Sequence, residues 1–182
     1  MNTTEKKRLA WAITGSGHYL RECLDIIDTL EDVDLFLSNA AAEILRQYGY
    51  QHNVGRVYLD KTASSVPVEF FYQGVYHTVV IAPTSSNTIA KMVCGISDNL
   101  VTNIFAQAGK CRVPCVVFAC DTEPEVESEA PRENMVKVYP RRIDLENVNK
   151  LKTFEQTTVV ADMQEMDAVI KARVQCLQDS SF

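Results

Sequence analysis

Apolar residues in this chain gather into short continuous runs. Each run ends in small polar residues, after which apolar positions recur at helical spacing. Residues 78–100 show the pattern best. Val79-Val80-Ile81-Ala82 is a β-branched run that breaks at Pro83 into Thr84-Ser85-Ser86-Asn87-Thr88. Apolar positions then recur at Ile89, Met92, Val93 and Ile96. The pattern predicts a buried strand, a hydroxyl-rich turn and a helix start. The first-turn N–H groups of such a helix have no intrahelical acceptor. The turn is therefore either an anion site or an ordinary cap satisfied by Ser85, Ser86 or Asn87.

The same alternation runs through the chain. A strand at Leu9–Thr14 leads through Gly15-Ser16-Gly17 into a helix with apolar face Leu20, Leu24, Ile27 and Leu30. A strand at Val33–Leu37 ends at Ser38-Asn39 and leads into a helix over 40–48 that Gly49 stops. Residues 51–74 read as a short strand at Arg56–Leu59, a polar loop at 60–66 and a breaker at Pro67. After the central strand and helix, Ser97-Asp98-Asn99 caps a helix over 100–108 that Gly109 closes. A strand follows at 113–119. Residues 121–134, with five glutamates, Pro124 and Pro131, read as an acidic loop, and 135–141 as a strand or hairpin arm. Asp144 caps a helix over 145–151, and a strand at Thr157–Val160 precedes a terminal helix over 163–177. Near-continuous apolar strands alternating with helices predict an α/β fold, a Rossmann-like or flavodoxin-like three-layer open parallel sheet with helices on both faces. The length suits one domain spanning residues 1–182.

Charge and composition narrow the function. The net charge is −6 and the pI about 5.1, which disfavours nucleic-acid binding through a basic face. No apolar run reaches the length of a membrane span, and no signal peptide is read, so a cytoplasmic protein is expected. The six cysteines form no C-x-x-C pair, and their spacing matches no common iron–sulfur pattern. No His pairs with a Cys or carboxylate at metal-ligand spacing, so no metal site is expected.

Three strand ends carry small polar residues: Thr14-Gly15-Ser16-Gly17, Ser38-Asn39 and Thr84–Thr88. In an open parallel sheet they share one edge, beside the point where strand order reverses. Three such turns together predict a phosphorylated cofactor. Gly15-Ser16-Gly17-His18 lacks the third glycine of a dinucleotide fingerprint, and no Gly-Lys-Ser/Thr occurs. A flavin mononucleotide fits better, since one phosphate needs a few hydroxyls and backbone donors but no tight pyrophosphate turn. No G-x-S-x-G elbow supports a serine hydrolase.

These residues resemble the homo-oligomeric flavoproteins that include phosphopantothenoylcysteine decarboxylase and flavin prenyltransferase. The resemblance rests on Gly15-Ser16-Gly17, on Ser38-Asn39-Ala40-Ala41, and above all on residues 83–91, Pro-Thr-Ser-Ser-Asn-Thr-Ile-Ala-Lys, followed by Gly95-Ile96-Ser97-Asp98-Asn99-Leu100. It implies FMN held by Thr14, Gly15, Ser16, Ser38, Ser85, Ser86, Asn87 and Thr88. It also implies a homo-oligomer built from trimers, a dodecamer or larger.

The departures from that group bear on activity. The decarboxylases carry a catalytic His where counting back from Pro83 gives Glu69, and a Pro-Ala-Met-Asn motif where this chain has Cys120-Asp121-Thr122-Glu123-Pro124. The prenyltransferases have an Arg near Cys120. The tail, Tyr139-Pro140-Arg141-Arg142-Ile143-Asp144, is similar to the archaeal-type subgroup that contains the dihydromethanopterin reductases. That likeness implies an FMN-dependent oxidoreductase passing a hydride to a dihydropterin, the alternatives being a decarboxylase or prenyltransferase relative or a non-catalytic electron-transfer flavoprotein. Glu69, His18 and Asp121 are then the candidate proton donors. Arg141 and Arg142 could meet an acidic substrate tail, and a ferredoxin or a reductase would supply electrons.

Overall fold

The computed structural model describes residues 7–61, 65–130 and 134–179. Its elements are β1 (Arg8–Ile13), α1 (Leu20–Asp28), β2 (Val33–Leu37), α2 (Asn39–Tyr48), β3 (Arg56–Leu59), α3 (Ser65–Tyr72), β4 (Tyr76–Thr84) and α4 (Ser86–Val93). They continue as α5 (Leu100–Lys110), β5 (Cys115–Ala119), β6 (Val126–Ala130), β7 (Asn134–Val138), α6 (Arg142–Leu151), β8 (Thr157–Val160) and α7 (Met163–Asp179). Six strands form a parallel sheet in the order β3-β2-β1-β4-β5-β8. Strand order reverses between β1 and β4, so a crevice opens at their carboxyl ends.

Alternate strand residues feed two cores, which makes the fold three layers deep. Ala10, Ala12, Phe36, Val79, Ile81 and Val117 meet α3, α4, α5 and α6 on one face. Leu9, Trp11, Ile13, Leu35, Val80 and Phe118 meet α1, α2 and α7 on the other. Both faces of each central strand are thus dry, which is why those strands read as unbroken apolar runs. No helix among the described residues is long and apolar enough to cross a membrane.

Several expectations change. The central strand does not stop at Pro83: β4 runs on to Thr84, with its pairing to β5 shifting between Ile81 and Thr84. Proline supplies no N–H, so the ladder skips there. The indole Nε1 of Trp11 instead donates to Ala82 O at 2.8 Å. Pro67 does not break the chain. It lies in the first turn of α3, where a missing N–H costs nothing; part of the polar loop expected at 60–66 lies outside the described residues. Ile96 lies beyond α4 and is 46% exposed. Gly109 falls inside α5. Asp144 is not the cap of α6: Arg141 holds that position, and Asp144 sits three residues on, its carboxylate accepting from the Arg141 N–H at 2.9 Å.

The acidic loop is the largest correction. Within residues 121–134, β6 pairs antiparallel with β7, Val126 opposite Val138 and Ala130 opposite Asn134. Pro131 and Glu133 lie outside the described residues. Glu123, Glu125, Glu127 and Glu129 recur at every second position, which is a strand period.

Candidate functional site

The site forms where the β1–α1 and β4–α4 turns meet at the strand-order reversal. Thr14 ties them together. Its hydroxyl donates to Pro83 O at 2.9 Å and accepts from the Ser85 N–H at 2.8 Å, and its own N–H donates to Pro83 O. It is buried, so its side chain is spent on this strut and only positions the turns. Thr14→Val removes a donor and an acceptor from a dry position. We expect a loss of about 1–3 kcal/mol, read from the denaturant midpoint; an unchanged midpoint would refute the strut.

Gly15 brings in the second turn. A Cβ built at Gly15 would lie 2.5 Å from Ala40 Cβ, so only glycine lets the β1–α1 turn rest on the start of α2. Ser38 caps that helix, its Oγ accepting from the Ala41 N–H at 3.0 Å. Ser85 stands at the cap of α4 with extended backbone, but its side chain makes no cap hydrogen bond there. It pairs with the Thr88 hydroxyl at 3.1 Å instead. Ser86 Oγ donates to the Asp121 carboxylate, and Asn87 is exposed at the start of α4.

A cavity of about 220 Å³ is lined by Gly15, Ser16, Ser85 and Cys120, with His18 and Asp121 at its sides. Val126, Ser128 and Val138 of the β6–β7 hairpin roof it. Burial holds His18 below its ordinary pKa, while the carboxylates of Asp121 and Glu22 pull the other way. Burial pushes the Cys120 thiol up to about 12, even though the Ser16 hydroxyl bonds to it, so it stays neutral. Tyr19 adopts a left-handed backbone (φ 54°) with its ring edge-on to Phe118 and against His18.

Of the expected site residues, Thr14, Gly15, Ser16, Ser85, Ser86 and Thr88 come together with His18 and Asp121. Ser38 reaches the group through the contact between Gly15 and α2. Glu69 does not: it is exposed in mid-α3, its carboxylate accepting from Gln73 Nε2 at 2.8 Å. Nor are the two arginines unengaged. Arg141 forks onto Asp144 at 2.8 and 2.9 Å, and Arg142 pairs with Glu146 at 2.6 Å. The sequence reading missed the hairpin roof and the packing of Cys120 on Ser16. Only the former had a sequence signal, the two-residue period of the glutamates.

A family model described as Flavoprotein matches residues 1–180. The chain belongs to the flavoprotein family. Among solved structures, this flavoprotein is similar to DmrB of Burkholderia xenovorans, described in complex with FMN as a cubic protein cage for redox transfer. The two share 46% identity over 96% of this chain and 99% of that one, with a TM-score of 0.88. It is also 35% identical to a dihydromethanopterin reductase (acceptor) of Methanosarcina mazei over 142 residues, 69% of this chain and 59% of the reductase. The chain thus spans about three fifths of that relative's length. Phenylacrylic acid decarboxylase of Aquifex aeolicus, at 22% identity and a TM-score of 0.65, shares the fold.

Proposed function

We propose that this flavoprotein binds FMN in the switch-point crevice and reduces a dihydropterin, dihydromethanopterin giving tetrahydromethanopterin. The observation that carries the reading is the hydroxyl-lined crevice itself, in a chain nearly half identical to an FMN-binding protein along its whole length. The residues present fit the cofactor. Gly15 leaves backbone space against α2, the dipoles of α2 and α4 favour an anion at their starts, and Ser85 leaves the first turn of α4 without a side-chain cap. We read the phosphate at the Gly15, Ser16 and Ser38 turns, where the start of α2 is open to an anion, and Ser85, Ser86, Asn87 and Thr88 against the rest of the molecule. Bound flavin would supply the hydride. The chain's own residues then hold the substrate under the Val126–Val138 roof and keep water out. His18 and Asp121 are the groups at the cavity able to hand a proton to the substrate.

The pterin substrate follows from the likeness to the Methanosarcina reductase. We read residues 1–182 as one domain that assembles into a homo-oligomer built from trimers, a dodecamer or larger, as the cage of DmrB suggests. A ferredoxin or a reductase would deliver electrons. The six free thiols suit a cytoplasmic setting.

The test is direct. Purified protein should carry flavin absorbance. After anaerobic photoreduction, dihydromethanopterin should reoxidise the flavin with stoichiometric tetrahydromethanopterin. Colourless protein that cannot be reconstituted with FMN would refute the cofactor, and bound flavin that stays reduced would refute the substrate.

A further inference from the structure

One imidazole at the crevice is held by its surroundings yet leaves both ring nitrogens free. The backbone N–H of His18 donates to Ser16 Oγ at 3.3 Å, and the Ser16 hydroxyl in turn bonds to the Cys120 thiol. The His18 ring lies edge-on to Tyr19, with centroids 4.2 Å apart, and Tyr19 lies edge-on to Phe118 at 5.5 Å. Tyr19 makes both contacts from a left-handed backbone (φ 54°). Bulky residues seldom enter that region, and those that do gather where the surrounding structure fixes a site's geometry. Neither imidazole nitrogen bonds to another described residue, and the ring borders the cavity.

Asp121, at the same cavity, is the opposite case. Its carboxylate already accepts from the Ser86 hydroxyl in the first turn of α4. Cys120 is a poor donor, because burial pushes its thiol up to about 12, far from the range in which a proton-transfer group works best.

We infer that His18, not Asp121, gives the proton to the substrate, and that Asp121, anchored by Ser86, is a positioning residue that sets a countercharge beside the imidazolium. The inference rests on the reductase reading above and divides a role that this reading leaves shared. Reduction of a C=N bond in a dihydropterin takes a hydride at carbon, supplied by reduced flavin, and a proton at nitrogen. The imidazolium gives up that proton, becomes neutral imidazole and is recharged from water.

Burial works against the imidazolium and holds His18 below its ordinary value of 6.5. Two carboxylates work for it, Asp121 first and Glu22 of α1 second. The roof adds Val126, Ser128 and Val138, none of which titrates. Arg141, at the start of α6, feels the charge of Asp121 but is forked onto Asp144. Proton delivery should therefore weaken as pH rises through the His18 midpoint, and loss of the Asp121 charge should move that midpoint to lower pH.

Two readouts test the assignment. Hydrogen exchange at imidazole C2, followed by mass spectrometry, reports the protonation of His18 separately from His52 and His77, with or without flavin. Asp121→Asn should lower the His18 midpoint, and Asp121→Glu, which keeps the charge, should hold it near the wild-type value. The second readout is oxidation of the photoreduced protein by dihydromethanopterin across pH. The wild-type rate should fall as pH rises through the His18 midpoint. His18→Asn should lower the rate about 100- to 10,000-fold and abolish that pH dependence. Asp121→Asn should lower it about tenfold above neutral pH, the effect of one close opposite charge, and the rate should recover as pH falls. A midpoint unmoved by Asp121→Asn, a pH dependence that survives His18→Asn, or an Asp121→Asn rate that no acidity restores would each overturn the inference and leave the reductase reading standing. A wild type that dihydromethanopterin does not oxidise would overturn both.

Discussion

Asp34→Ala is expected to destabilise the protein by about 3–5 kcal/mol, the usual cost of breaking a buried ionic cluster from one side. Asp34 lies inside β2 with no exposed surface. Its carboxylate accepts from Arg56 Nε, from the Tyr76 hydroxyl at 2.8 Å, and lies 3.3 Å from Arg8 Nη2. Arg8 is also held over the rings of Phe70 and Tyr76. The cluster thus joins β1, β2, β3 and β4 through one side chain. Truncation leaves the Tyr76 hydroxyl and Arg8 without their acceptor in a low-dielectric site, and the desolvation penalty is no longer offset. At this chain length the midpoint of thermal unfolding should fall by roughly 10 °C. A fall within the error of the melt would mean that the cluster is solvated and structurally idle. Flavin content measured well below the midpoint should not change, because the cluster lies toward the amino ends of the strands, away from the crevice.

The same cluster marks a limit of sequence reading. Val33–Leu37 was legible as a strand because four of its five residues are apolar, and the structure gives that strand the same bounds. The purpose of Asp34 was not legible, because its partners lie 22 to 42 residues away on other strands and meet only once the sheet is closed. Local signals fared well where one physical cause dominates. Gly49 ends α2 in a left-handed conformation (φ 68°), and Asn99 caps α5 through a reciprocal bond with Thr102. They failed where a residue type has two roles. Proline reads as a breaker, yet Pro67 lies in the first turn of a helix and Pro83 lies inside a strand. The crevice was largely legible, since small hydroxyl residues at three strand ends of a parallel sheet must share an edge. Its roof was not, because charge hid the two-residue period of the hairpin. Glu69 stands apart from the crevice for a related reason: its place in a resemblance is counted along the chain, whereas α3 sets it at the surface of its own protomer.

Gly15→Ala is expected to empty the flavin site more thoroughly than the loss of any single hydroxyl around it. The new Cβ would stand 2.5 Å from Ala40 Cβ, well inside the roughly 3.5–4.0 Å of favourable carbon contact. Neither methyl can rotate away, because each is fixed to its backbone. The turn must withdraw from α2 by about 1 Å, a displacement of the kind that costs on the order of 100-fold when it falls on a positioned site. Both FMN retention and kcat/KM should drop by that order, while the fold loses only the 1–3 kcal/mol typical of overpacking, about a fifth of an ordinary domain's margin. Backbone strain plays no part, since Gly15 has no left-handed conformation to protect. The effect should therefore be reversible by making room on the other side. Ala40→Gly adds roughly 1 kcal/mol of helix cost, but in combination with Gly15→Ala it should recover most of the flavin binding, a strong positive coupling in a double-mutant cycle. If Gly15→Ala keeps its flavin, the close approach of the two turns does not shape the site. If it loses flavin and Ala40→Gly fails to rescue it, glycine is needed there for contact with the cofactor itself.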